Sequence, residues 1–320
     1  MRYLVVGAGA LGGYFGGRLL EAGRDVTFLL RPARAQALAR TGLVIKSRFG
    51  DATLAAPPFV LKEDLHTPFD VVVVGCKAYD LAETMTSFAP AVGAQTAILP
   101  LLNGLGHFDA LQQRFGAERV LGGLCMISAA LDAAGTVQHF NDFHVLVFGE
   151  LDGTSSARVA AVHADCGGAK FDARVSSQMM LELWEKWVFI AAAAAVTCLM
   201  RASIGDIVAA GAADLSERLL EECRGIAEAN GFAPRAAPIE RYRSILTAAG
   251  SPISASMLKD IERGAPVEAD HVIGDLLRRA PGSTSTSTSA SAQSAAQAPS
   301  LLRVAYAHLK AYEARRAAAA

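Results

Sequence analysis

The chain has 320 residues, 52% of them hydrophobic and 19% charged, and its 30 Lys and Arg against 31 Asp and Glu leave a formal net charge of −1. That length suggests two domains with ample material for buried cores, and the apolar content excludes disorder of the whole chain. Near-neutral charge removes the broad positive field that sequence-independent nucleic-acid binding needs, and 7% aromatic residues make a stacking surface for single strands a poor expectation.

In chain order, residues 3–6, 26–30, 71–74 and 96–99 are short apolar runs bounded by Gly, Pro or charged residues. Such runs suit strands buried on both faces of a parallel sheet. Helical patterns at 11–22, 32–40, 81–88 and 108–115 alternate with them, which is the rhythm of an α/β, doubly wound Rossmann-type fold. Residues 120–131 and 137–148 carry few helix signals and predict an antiparallel extension of that sheet. Beyond residue 171 the character changes. Residues 178–200, 214–230, 238–249, 269–279 and 301–316 all predict helices, so the expected organisation is a dinucleotide-binding domain at 1–172 and an all-helical domain at 173–320. The stretch 281–300, almost all Ser, Thr, Ala, Gln, Pro and Gly, predicts a flexible surface loop.

The sequence opens on Tyr3-Leu4-Val5-Val6-Gly7 with no leader pattern, and the apolar run 187–200 is shorter than the about 20 residues of a membrane span. A cytoplasmic protein that engages neither membrane nor nucleic acid is expected, and a homodimer is left open. The five cysteines are widely spaced without a C-x-x-C pair, which suggests reduced thiols and neither a disulfide framework nor a metal site.

Gly7-Ala8-Gly9-Ala10-Leu11-Gly12 follows a predicted strand and opens a predicted helix, the context in which G-x-G-x-x-G binds a dinucleotide. Gly7 permits the tight turn, Gly9 lets the backbone approach a diphosphate, and Gly12 lets helix lie close to strand. Ala10 and Leu11 present amides at the helix N-terminus. The second strand ends in Arg31, where an NAD enzyme usually carries Asp or Glu, and Arg34 follows one helical turn later. A guanidinium there attracts a 2′-phosphate with no carboxylate to repel it, which favours NADP(H); the plainer alternative is a pair of solvated arginines at a helix start. Lys77 and Asn103 each follow a predicted parallel strand, where ligand crevices form. Lys77 is otherwise a surface lysine, and Asn103-Gly104 otherwise an ordinary turn.

Taken together, several of these residues resemble the ketopantoate reductase family. They are the glycine loop, Arg31, Lys77-Ala78, Asn103-Gly104 with Gly106, Leu183-Trp184-Glu185-Lys186, Thr197, Ser256-Met257-Leu258-Lys259-Asp260 and Glu268, in order along nearly the whole chain. The resemblance implies reduction of 2-dehydropantoate (ketopantoate) to pantoate by NADPH in pantothenate biosynthesis. It implies Lys186 as the acid that protonates the ketone oxygen and Asn103 as the residue keeping lysine and nicotinamide in register. Glu268 would accept a hydrogen bond from a substrate hydroxyl, and Ser256 would bind the substrate carboxylate. Read alone, Lys186 is equally a helix lysine whose stem lies on apolar surface, and Glu268 a solvated charge.

In that family, asparagines that touch substrate stand four and eight residues after the lysine. Here those positions hold Ile190 and Ala194. Near four-residue steps keep Lys186, Ile190, Ala194 and Thr197 on nearly one helical face, a stripe in which the two amide positions have turned apolar. The reaction type survives this change, while a less polar 2-keto acid becomes the alternative substrate. A non-catalytic protein that senses NADPH would need neither Lys186 nor Glu268.

Overall fold

The computed structural model describes residues 1–282 and 300–319, so most of the expected Ser/Thr-rich loop at 281–300 lies outside the described residues. The chain divides into two compact units, one comprising 1–102 and 107–180 and the other 103–106 and 181–320. The boundary expected at 172/173 is thereby displaced. A strand at Asp172–Val175 pairs in parallel with Val145–Gly149, which keeps the chain in the first unit through Met180.

The first unit starts with β1 (Arg2–Val6), α1 (Ala10–Glu21), β2 (Asp25–Leu29) and α2 (Pro32–Thr41). It continues through β3 (Leu43–Lys46), β4 (Ala52–Leu54), β5 (Phe59–Val60), β6 (Val71–Val74), α3 (Leu81–Phe88), β7 (Ala97–Pro100) and α4 (Gly106–Phe115). Strands β5, β2, β1, β6 and β7 form one parallel sheet in that order. Because helices cover both faces, Leu4, Val5, Val71 and Val72 are fully buried, which is what the unbroken apolar runs demand. The order reverses between β1 and β6, and ligands of such sheets bind outside the strand ends at that point.

Next come β8 (Gly122–Met126), β9 (Ala129–Leu131), β10 (Val137–His139), β11 (Val145–Gly149), α5 (Ala157–Asp165) and β12 (Asp172–Val175). The single antiparallel extension expected here is divided. β8 and β11 pair antiparallel in a three-stranded sheet with β12, whereas β9 and β10 join β3 and β4 in a separate four-stranded sheet. The turn through Gly135 sends β9 and β10 to β3 because Val137 pairs with Ile45, burying both side chains.

The second unit is helical, as expected: α6 (Met179–Met200), α7 (Ile204–Ala209), α8 (Ala213–Ala229), α9 (Ala236–Leu246), α10 (Ser256–Glu262), α11 (Asp275–Arg278) and α12 (Leu301–Ala318). By length and composition α6 could cross a membrane, but 72% of its apolar window is buried inside the protein, which marks a core helix. Its alanines at 191–195 admit close neighbours, and the Trp187 indole N–H donates to the Val272 carbonyl at 2.7 Å. The helix expected over 269–279 is interrupted: Asp270–Gly274 forms a π-helical turn before α11 begins. Such turns recur at functional sites.

Candidate active site

In the first unit, Gly7 has φ +88° and its N–H donates to the Leu29 carbonyl at 3.0 Å, which ties the turn after β1 to the end of β2. A Cβ on Gly12 would overlap the Gly7 carbonyl oxygen and reach Val5. At Gly9 a Cβ would meet nothing within 4 Å, so the loop has open space at the position where a diphosphate approaches the backbone. The first turn of α1 holds no acidic residue, leaving the positive end of its dipole unopposed. Ala10 and Leu11 are that turn's first two residues. The loop therefore fits a dinucleotide phosphate.

Arg31 precedes α2 with its side chain 62% exposed, and Nη2 lies 3.4 Å from Asp80 and 3.2 Å from Glu83. The expected freedom from nearby carboxylates is corrected: the segment around the start of α3 brings two of them, and Asp80 in particular raises the Arg31 pKa. Arg34 already has two backbone partners. Its Nε donates to the Ala8 carbonyl at 3.0 Å and its Nη2 to the Gly135 carbonyl at 3.1 Å, so it braces the glycine loop from behind. Burial lowers its pKa without removing its charge at neutral pH. Lys77 is half-buried just past β6, immediately before the 3₁₀ turn Ala78–Asp80.

In the second unit, one cavity of about 130 Å³ gathers Asn103, Ile190, Ala194, Ser256 and Glu268, five of the residues singled out in the sequence. Phe189, Ala193, Ile253, Met257 and Val272 line it as well. Lys186 is not in that lining. It sits half-buried one helical turn before Ile190, and the adjacent carboxylate of Glu185 is engaged by Arg235, with Nη2 to Oε2 at 2.6 Å and Nε to Oε1 at 2.8 Å. Glu185 is almost fully buried and raises the Arg235 pKa, so this pair anchors α6 against the start of α9.

Backbone bonds set the cavity's far wall. Ile204 N–H donates to the Ile253 carbonyl at 2.9 Å and Gly205 N–H to the Ser251 carbonyl at 2.8 Å. Thr197, expected to continue the substrate-facing stripe, is instead fully buried. Its hydroxyl donates to the Ala193 carbonyl at 2.7 Å and accepts from the Ala255 N–H at 3.3 Å, which holds the Ser256 segment on α6. Gly104 has φ +77°, and its missing side chain makes room for His271, the third residue after Glu268. Burial is the main cause lowering the His271 pKa, opposed by the charges of Glu268 and Asp275 and by a hydrogen bond with the Asn103 backbone. Phe189 stacks on Tyr242 with centroids 4.7 Å apart, and burial pushes that phenol up to about 12. Sequence reasoning passed over Phe189, Ile253 and His271. The first lies beside Ile190 on the same helix and could have been found from that spacing, whereas the others carry no local signature.

Comparison with known proteins adds the following. Residues 3–153 match the family described as Ketopantoate reductase PanE/ApbA, and residues 178–284 match Ketopantoate reductase PanE/ApbA C terminal. An uncharacterized oxidoreductase, YkpB, of Bacillus subtilis (strain 168) is 36% identical over 98% of this chain and 99% of its own length. A 2-dehydropantoate 2-reductase of Halobacterium salinarum is 30% identical over 88% of this chain and 92% of its own. The crystal structure of 2-dehydropantoate 2-reductase from Geobacter metallireducens GS-15 superposes with a TM-score of 0.85 at 28% identity, covering 97% of this chain and 99% of that one.

Proposed function

Because this chain belongs to the ketopantoate reductase family and is an oxidoreductase, we propose that it reduces a 2-keto acid to the 2-hydroxy acid at the expense of NADPH. The observation that carries this reading is the cavity that collects Asn103, Ser256 and Glu268 beside the helix of Lys186, from segments far apart in sequence.

The glycine loop (Gly7, Gly9, Ala10, Leu11 and Gly12) binds the cofactor diphosphate, Arg31 faces the 2′-phosphate, and Lys77 and Asn103 complete the cofactor contacts. Bound NADPH supplies the hydride. Lys186 gives a proton to the ketone oxygen as negative charge develops there, and a preformed ammonium at that oxygen lowers the barrier. Ser256 holds the substrate carboxylate, Asn103 keeps Lys186 and the nicotinamide in register, and Glu268 accepts a hydrogen bond from a substrate hydroxyl. This division of roles suits a cytoplasmic metabolic enzyme whose partner is a small 2-keto acid.

2-Dehydropantoate, the substrate in the name of the Halobacterium relative, is the first candidate, with pantothenate biosynthesis as its setting. A less polar 2-keto acid is the second, favoured by Ile190 and Ala194 in the cavity wall. The test is the decay of NADPH absorbance over a panel of 2-keto acids that includes 2-dehydropantoate, repeated with NADH. Consumption of NADPH by at least one of them, faster than of NADH at equal concentration, supports the reading. No consumption with any acid refutes it.

A further inference from the structure

Resting on the reading of this cavity as the acid-binding site, we infer that it is a tail subsite for 2-keto acids with an unbranched or branched hydrocarbon tail, preferred over hydroxylated tails such as that of 2-dehydropantoate.

The wall is built from Phe189, Ile190, Ile253, Met257 and Val272, and the two small side chains of Ala193 and Ala194 leave the space between them open. At about 130 Å³ the cavity approaches the roughly 150 Å³ apolar cavity that admits benzene, so with the head of the acid in place it has room for a small hydrocarbon tail. Its polar groups are few. Asn103, Ser254 and Ser256 are neutral donors suited to the carboxylate and keto oxygens, and Glu268 is the one ionisable side chain in the lining. A hydroxyl carried on the tail would therefore have only Glu268 as a charged partner among the described residues, and against the apolar wall it would lose its water without replacement.

The wall is also held in place. Trp187 fixes Val272, Tyr242 backs Phe189, and Thr197 together with α7 fixes the segment of Ile253 and Met257. A braced apolar wall rewards a tail that fills it and does not rearrange to offer new hydrogen bonds. Each buried methylene is then worth about a 4-fold gain.

The experiment is a homologous series of pyruvate, 2-oxobutanoate, 2-oxopentanoate and 4-methyl-2-oxopentanoate, with 2-dehydropantoate alongside, followed through NADPH consumption. We expect kcat/KM to climb at each step, by on the order of 50-fold from first to last, and to exceed the value for 2-dehydropantoate. Ala193→Leu, which fills the open space, should abolish the climb. A flat series, or 2-dehydropantoate as the best substrate, overturns the inference. Should no acid consume NADPH, the reductase reading fails, and the subsite is then judged by calorimetry alone with 2-hydroxy-4-methylpentanoate and pantoate. Tighter binding of the former sustains the subsite, and equal or tighter binding of pantoate overturns it. If Ala193→Leu does not fold, the series on the unmodified protein decides.

Discussion

The glycine loop of the first unit and the cavity of the second use opposite strategies. The loop is a backbone device: Gly7, Gly9 and Gly12 contribute by having no side chain, and six consecutive residues contain it. The cavity is formed by side chains from the Asn103 turn, α6, the segment 253–257 and the residues flanking the π-helical turn. A backbone site depends on local geometry and tolerates almost no substitution at its tightest point. A side-chain site can change its lining while keeping its chemistry, so the proposed reading expects the cavity to be the more adjustable of the two.

The most severe break is expected at Gly12. An added methyl overlaps the Gly7 carbonyl oxygen, so Gly12→Ala should abolish measurable NADPH binding by titration and lower the melting temperature. Gly9→Ala meets no atom within 4 Å, so it should leave melting unchanged while weakening NADPH. If both variants melt alike and bind alike, the loop is a structural turn.

On the cavity side, Lys186→Ala should reduce kcat by roughly 100-fold or more while NADPH affinity stays within a few-fold, as expected for the loss of a general acid. Unchanged turnover would assign Lys186 to the surface of α6.

Restoring amides with Ile190→Asn and Ala194→Asn together sharpens the comparison further. The double variant should raise kcat/KM for 2-dehydropantoate by about 1–3 kcal/mol, or roughly 5- to 150-fold, if each amide makes a modest net hydrogen bond. It should lower kcat/KM for an apolar 2-keto acid, because an amide would be buried against the tail. Opposite movements of the two substrates are the signature, and parallel movements would mean that the stripe does not touch substrate.

These two regions were not equally legible. The strand–loop–helix arrangement of residues 3–22 and the all-helical second unit follow from hydrophobic period and glycine spacing, which are local properties. So does Ile190 as a neighbour of Lys186, since a helix fixes four-residue steps. Ile253 was hidden because its position depends on backbone bonds to α7 and on the Thr197 hydroxyl, which join segments separated by about fifty residues. Helix α7 itself carried a readable signal in Ser203 and Asp206, which cap each other's backbone amides. Arg31 was misjudged in its surroundings for the same long-range reason: Asp80 and Glu83 reach it from the start of α3.

That correction sets the size of the next effect. A charge-assisted contact to phosphate is worth about 1.5–3 kcal/mol, but Arg31 is 62% exposed and already paired, so its share is smaller. Arg31→Ala should cut the preference for NADPH over NADH by up to about 5-fold, measured as a ratio of dissociation constants. Equal affinity for both cofactors in the unmodified protein would remove Arg31 from the site.

The smallest effect concerns acid stability. Burial lowers the His271 pKa below its unfolded value. The unfolded chain therefore binds the proton first as pH falls, and the stability contributed by neutral His271 is present above about pH 6.5 and lost below it. His271→Gln should flatten the decline of melting temperature between neutral and mildly acidic pH. An unchanged slope would show that His271 titrates alike in the folded and the unfolded chain.

The most direct test is one ratio on the unmodified protein: kcat/KM with NADPH for 4-methyl-2-oxopentanoate over that for 2-dehydropantoate. The account predicts that both acids consume NADPH and that the ratio exceeds one. A ratio well below one would contradict the apolar reading of the cavity, and no consumption of either acid would contradict the assignment of a 2-keto acid reductase.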